Sequence, residues 1–157
     1  MFYLLKAVRN TDFRELQQLQ KITEMIDRDA DSVIVEGYSD KVAIRQLGFK
    51  GKIFQSAERS VEDLAEDVER GAVRVAVLTA FDTHRKDQNS EIIQALQGKV
   101  DVINSLRRDF GAQLTSNGRH AVEDVLPLFE SKEDKFIEEM LDEISLKNGQ
   151  LKSESEL

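Results

Sequence analysis

Glu36 and Asp82 are the two side chains whose positions first suggest chemistry. Glu36 ends the β-branched run Ser32-Val33-Ile34-Val35 and is followed by Gly37. Asp82 lies just beyond Val73–Thr79 (VRVAVLT), which reads as the strongest strand in the chain. In a parallel α/β sheet, ligands bind outside the C-terminal ends of the strands. Two carboxylates at neighbouring strand ends could share one cation, and that cation could grip a phosphate oxygen. The chain has no cysteine and only 2 histidines. Thiolate sites are therefore excluded and an imidazole-rich site is disfavoured. A metal here would be held by carboxylate oxygens, which suits Mg²⁺ or Mn²⁺.

The elements that must position these groups follow from the patterning. Asp12 and Glu15 suggest a capping box opening a helix. Phe13, Leu16, Leu19, Ile22, Met25 and Ile26 supply its apolar stripe. Ser32–Glu36 predicts a buried strand. Ser39 is expected to cap a helix running to Leu47 and stopping at Gly48. Lys52–Phe54 predicts a second strand. Ser60 is expected to cap a helix with Val61, Leu64, Ala65 and Val68 on one face, closed by Gly71. After the third strand, a loop over Ala80–Gln88 leads to a helix carrying Ile92, Ile93 and Leu96 that stops at Gly98. Val100–Ile103 predicts a fourth strand, Leu106–Phe110 a helical segment and Leu114–Arg119 an exposed turn. Pro127 marks a boundary, after which Ser131 should cap a last helix striped by Phe136, Ile137, Met140, Leu141 and Ile144. Residues 147–157 are polar and expected to be disordered. Strands alternating with helices imply βαβ units and a mainly parallel four-stranded α/β sheet with helices on both faces.

Two motifs now carry a resemblance. VIVEGYSDKVAIRQLG places Glu-Gly after a strand and an Asp three residues beyond the Gly. VAVLTAFDTHRKD resembles a strand ending in Asp-x-Asp, with a helix, a short strand and another helix between the two motifs. Together they resemble the Toprim domain family, and most of all its small archaeal single-domain members of uncharacterised function. Those also carry a double arginine after the fourth strand, as at Arg107-Arg108, and a downstream Glu-Asp, as at Glu123-Asp124. The resemblance covers about residues 31–128 and implies a Toprim-like, Rossmann-like fold. It assigns the general acid or base role to Glu36 and the second Asp of the metal-binding pair to Asp82. The first Asp of that pair falls on Ala80, which has no ligand atom, so the resemblance implies a weakened Mg²⁺ or Mn²⁺ site. Asp40 and Asp87 are the further carboxylates that could compensate.

Each of these residues also has a plainer reading. Glu36 and Asp40 could favour a helix N-terminus, and Asp82 could form a turn. Gly37, Arg85, Lys86, Arg107 and Arg108 could meet phosphate through charged hydrogen bonds, or the basic residues could lie on a solvated loop and helix face. His84 falls in that same loop, and His120 reads as structural or exposed. Tyr3 and Tyr38 invite comparison with a topoisomerase nucleophile, but the domain that carries one has no counterpart here.

Three segments are expected: a helical extension over 1–30, the Toprim-like domain over 31–128, and a C-terminal helix and polar tail over 129–157. The net charge is −8, which disfavours a strong nonspecific nucleic-acid binder. Residues 130–157 hold nine acidic and four basic residues, net −5, so the rest is closer to balance at −3. No apolar run approaches the roughly 20 residues of a membrane span, and a cytoplasmic location is expected. The first expectation for function is metal-dependent, nuclease-like phosphodiester chemistry on DNA or RNA. The alternative is a catalytically degenerate module that binds nucleic acid, a nucleotide or a protein partner without turnover. The amphipathic terminal helices suggest a homodimer.

Overall fold

A computed structural model describes residues 2–82, 86–129 and 144. Two compact units emerge: Arg14–Val125, and Met1–Phe13 together with Leu126–Leu157. In the first unit the elements run in the order expected of βαβ units. Helix α1 (Phe2–Asp29) crosses the unit boundary and leads to β1 (Ser32–Val35), α2 (Tyr38–Gln46) and β2 (Lys52–Gln55). Then come α3 (Val61–Gly71), β3 (Arg74–Val77), α4 (Lys86–Leu96), β4 (Asp101–Val102), α5 (Asn104–Ser116) and a 3₁₀ turn at Val122–Val125.

The four strands form one sheet of order β2-β1-β3-β4, and every pairing is parallel. The central strand β1 is buried along its whole length, as a β-branched run covered on both faces should be. Ile34, Val75 and Val77 join Leu64, Ala65 and Val68 of α3 and Ile92 and Leu96 of α4 in one core. The crossovers β2-α3-β3 and β3-α4-β4 run in the same direction across the sheet, so right-handed connections place both helices on one face. The β1-α2-β2 crossover runs the opposite way and sends α2 to the other face. The chain therefore leaves β1 and β3 in opposite directions. This is the switch point at which a crevice opens beyond the strand ends.

Several boundaries differ from expectation. Residues 12–15 lie inside α1 rather than at its start, so Asp12 and Glu15 do not cap it. The buried line of α1 is Glu15, Leu19, Thr23 and Ile26, continued by Ala30 just past its end, while Phe13 is exposed. Thr23 tolerates burial because its hydroxyl donates to the Leu19 carbonyl at 2.8 Å. Helix α2 is capped by Gly37, not Ser39, which is already helical. Ser60 does cap α3, accepting from the Asp63 amide at 3.1 Å. Helix α5 runs to Ser116 with Leu114 fully buried, so the exposed turn is confined to Asn117 and Gly118. The fourth strand is only two residues long.

In the second unit, residues 126–129 are helical and Leu128 is buried. Pro127 thus sits near the start of that turn, where a missing N–H costs least. Ser131, Phe136, Ile137, Met140, Leu141 and the tail 147–157 lie outside the described residues, as do His84 and Arg85. No helix among the described residues is long and apolar enough to cross a membrane.

Candidate functional site at the ends of β1 and β3

A cleft of about 190 Å³ opens at this switch point, lined by Glu36 and Asp40 on one side and Leu78–Asp82 on another. His120–Glu123 closes it. Glu36 follows the last residue of β1 directly. Its carbonyl accepts from the Ala57 amide at 2.9 Å, which fixes the backbone where the side chain departs. Glu36 and Asp82, the two carboxylates marked out by the sequence, therefore share one cavity.

Asp40 has a supporting position. It is 6% exposed, and both of its oxygens are engaged. Oδ2 accepts from the Gly37 amide at 3.0 Å and Oδ1 from the Glu123 amide at 2.8 Å. Burial pushes its carboxyl above the ordinary range, against those two hydrogen bonds, with the charges of Glu36 and Asp124 adding to the rise. Asp40 thereby ties the start of α2 to the wall at 120–123. Asp124 reinforces that wall by accepting from the amides of His120 at 2.9 Å and Ala121 at 3.0 Å. Arg119 anchors it from behind: its guanidinium grips Glu15 of α1 through two hydrogen bonds, at 2.5 and 3.1 Å, and donates to the Asp124 carbonyl at 2.7 Å. Asp87 is exposed in the first turn of α4 and does not line the cleft.

Ala80 occupies the place of the expected first carboxylate, with its backbone in the left-handed region at φ +55°. A β-carbon disfavours that conformation, and Asp and Asn tolerate it better than Ala. Arg107 holds the segment there. It donates through Nη1 to the Val77 carbonyl at 3.0 Å and to the Thr79 carbonyl, and through Nη2 to the Ala80 carbonyl at 3.0 Å. The guanidinium lies 4.6 Å from the centre of the Phe81 ring, and burial lowers its pKa. Arg108, by contrast, points outward, with 75% of its side chain exposed and Asp109 at 3.5 Å. Ala80, Phe81, Asn104, Arg107 and Arg108 border a second, shallower cleft of about 250 Å³, so the two cavities share the Ala80–Phe81 segment.

Among the described residues, no three acidic or imidazole groups converge to hold a metal ion. The donors present suit a divalent cation held by two carboxylates and completed by water or ligand oxygens, a common arrangement for Mg²⁺. They do not suit an ion held by protein groups alone. In the sequence, the 120–123 wall shows only as the Glu123-Asp124 pair. That His120 lines the cleft carries no sequence signal, because the chain returns to the site only after α5.

The fold and site define an α/β protein with an all-parallel sheet and a carboxylate-lined cleft at its switch point. No protein-family profile matches the chain, and no curated protein does. Among solved structures it is similar to a protein from Aquifex aeolicus, at 20% identity and a TM-score of 0.52, over 71% of this chain and 94% of that one. At that identity the likeness speaks for the fold alone.

Proposed function

We propose that the chain is a Toprim-type module acting on phosphodiesters of nucleic acid, with Glu36 and Asp82 holding Mg²⁺ or Mn²⁺ weakly. The observation that carries this reading is the convergence of these two carboxylates on one cleft between β1 and β3. When bound, the cation would neutralise phosphate charge and polarise the phosphorus–oxygen bonds. Glu36, whose backbone is held by the Ala57 amide, would take or give a proton at the reacting oxygen. Arg108, exposed on the adjoining cleft, would place the strand's backbone.

A second reading keeps the fold and the binding but not the turnover. It is favoured by the methyl group of Ala80 where a carboxylate is expected, and by Asp40 committing both oxygens to backbone amides. Calorimetric titration of Mg²⁺ and Mn²⁺ into the protein and its Ala80→Asp variant separates the two. Sub-millimolar binding to the unaltered chain, with cleavage of labelled DNA or RNA, supports the enzyme. Binding by the variant alone supports the degenerate module, and binding by neither sinks the metal-dependent reading.

A further inference from the structure

We infer that Arg107 is a positioning residue of the strand-end cleft: its guanidinium stands in for the missing continuation of β4 and fixes the segment that presents Ala80 and Asp82. The carbonyls along one edge of β3 give the reason. Val73 accepts from the Asp101 amide at 2.8 Å and Val75 from the Ile103 amide at 2.9 Å. There β4 ends, after two residues. The next carbonyls on the same edge, at the two-residue period of a strand, belong to Val77 and Thr79, and both accept from Arg107. The left-handed turn at Ala80 then directs a third carbonyl to the same guanidinium, at 3.0 Å. One planar fork thus serves acceptors that a longer strand would have satisfied by its backbone.

The ring of Phe81 completes the fastening. It lies beneath the guanidinium and against Gly111, where an added Cβ would come within 2.8 Å of the ring. The fastened segment matters because Leu78 through Asp82 form one side of the cleft. A lysine would replace this function only in part, since an ammonium lacks the planar fork that serves three carbonyls at once.

The inference rests on the proposed carboxylate site only for its second readout. The first readout is hydrogen exchange of the amides of 78–82, read by mass spectrometry alongside those of β1. Arg107→Ala should speed exchange in 78–82 by about tenfold, as expected for local opening, and leave β1 unchanged. Millimolar methylguanidinium should restore protection, and Arg28→Ala, at an exposed arginine that borders neither cleft, should leave exchange in 78–82 unchanged. If Arg107→Ala does not fold, Arg107→Lys serves, with a smaller local increase expected. Unchanged exchange in 78–82, or an equal rise throughout the sheet, overturns the inference. The second readout is the Mn²⁺ dissociation constant, expected to rise about tenfold in Arg107→Ala as the carboxylates lose their fixed placement. If no variant binds Mn²⁺, the metal reading fails while the exchange result still decides the role of Arg107.

Discussion

Replacing Glu15 by Gln tests whether a distant ion pair holds the cleft wall. Glu15 is 8% exposed and Arg119 about one-fifth exposed at their side chains, and they pair through two hydrogen bonds. Glutamine keeps the shape but offers one acceptor and turns an amide NH₂ towards a guanidinium N–H. Breaking a buried pair by removing one partner costs about 3–5 kcal/mol. Arg119 keeps some contact with water and its hydrogen bond to the Asp124 carbonyl, so a loss at or below the foot of that range, about 2–3 kcal/mol, is expected here. For a domain of this size that corresponds to a fall in Tm of roughly 5–10 °C. Urea unfolding followed by circular dichroism gives the free energy directly. A double-mutant cycle with Arg119→Met isolates the coupling between the two side chains. A loss below about 1 kcal/mol would place the pair with ordinary surface bridges and refute the anchoring of 119–125 through α1.

Gly111→Ala should cost about 1–3 kcal/mol, since its Cβ would come within 2.8 Å of the Phe81 ring; a wild-type urea midpoint would show that the ring moves freely. Glu36→Gln should abolish cation binding and any cleavage while leaving Tm unchanged or raised, whereas a large drop in Tm would make Glu36 structural. Two carboxylates should give pH dependences of opposite sign. Hydrogen bonds from Arg59 and Arg70 hold Asp67 below its usual range, so its contribution is present above the unfolded value of about 3.9 and lost as pH falls through the folded one. Asp40 is held above its usual range, so stability rises as pH falls through its folded value towards about 3.9. Urea midpoints from neutral to acid pH should therefore lose the first dependence in Asp67→Asn and the second in Asp40→Asn.

The parallel sheet was legible because its determinants are local. β-Branched runs, glycine stops and a serine cap each act within a few residues, and β1, β2, β3 and α3 fall where those signals put them. The errors share a different cause. Apolar periodicity alone sets the expected stripe in α1, yet its buried line includes Glu15 and Thr23, which are tolerated by a guanidinium 104 positions away and by a carbonyl one turn back. The extent of α5 was missed because Leu114 is buried by tertiary packing within a polar stretch. In the site, Glu36 and Asp82 could be placed together from strand ends and topology. The work of Arg107 could not, because its partners are backbone carbonyls, which have no residue identity to read.

That division bears on Ala80. A left-handed alanine costs roughly 1–2 kcal/mol, and hydrogen bonds to a charged group contribute about 1.5–3 kcal/mol each. The three made by Arg107 therefore outweigh the strain, and the backbone at 80 is held without help from its side chain. An aspartate placed there should enter a segment already shaped for it, at a φ that Asp accepts more readily than Ala. Its new carboxylate would face Glu36, Asp40 and Asp82 across the same cleft, and like charges resist one another until a cation intervenes. The easier backbone conformation and the added repulsion act in opposite directions, so Ala80→Asp should leave Tm nearly unchanged in chelator and raise it on addition of millimolar Mn²⁺, by more than in the unaltered chain. A variant that melts several degrees lower in both conditions would mean that the turn at 80 depends on its methyl group, and that Arg107 does not set the geometry of the cleft.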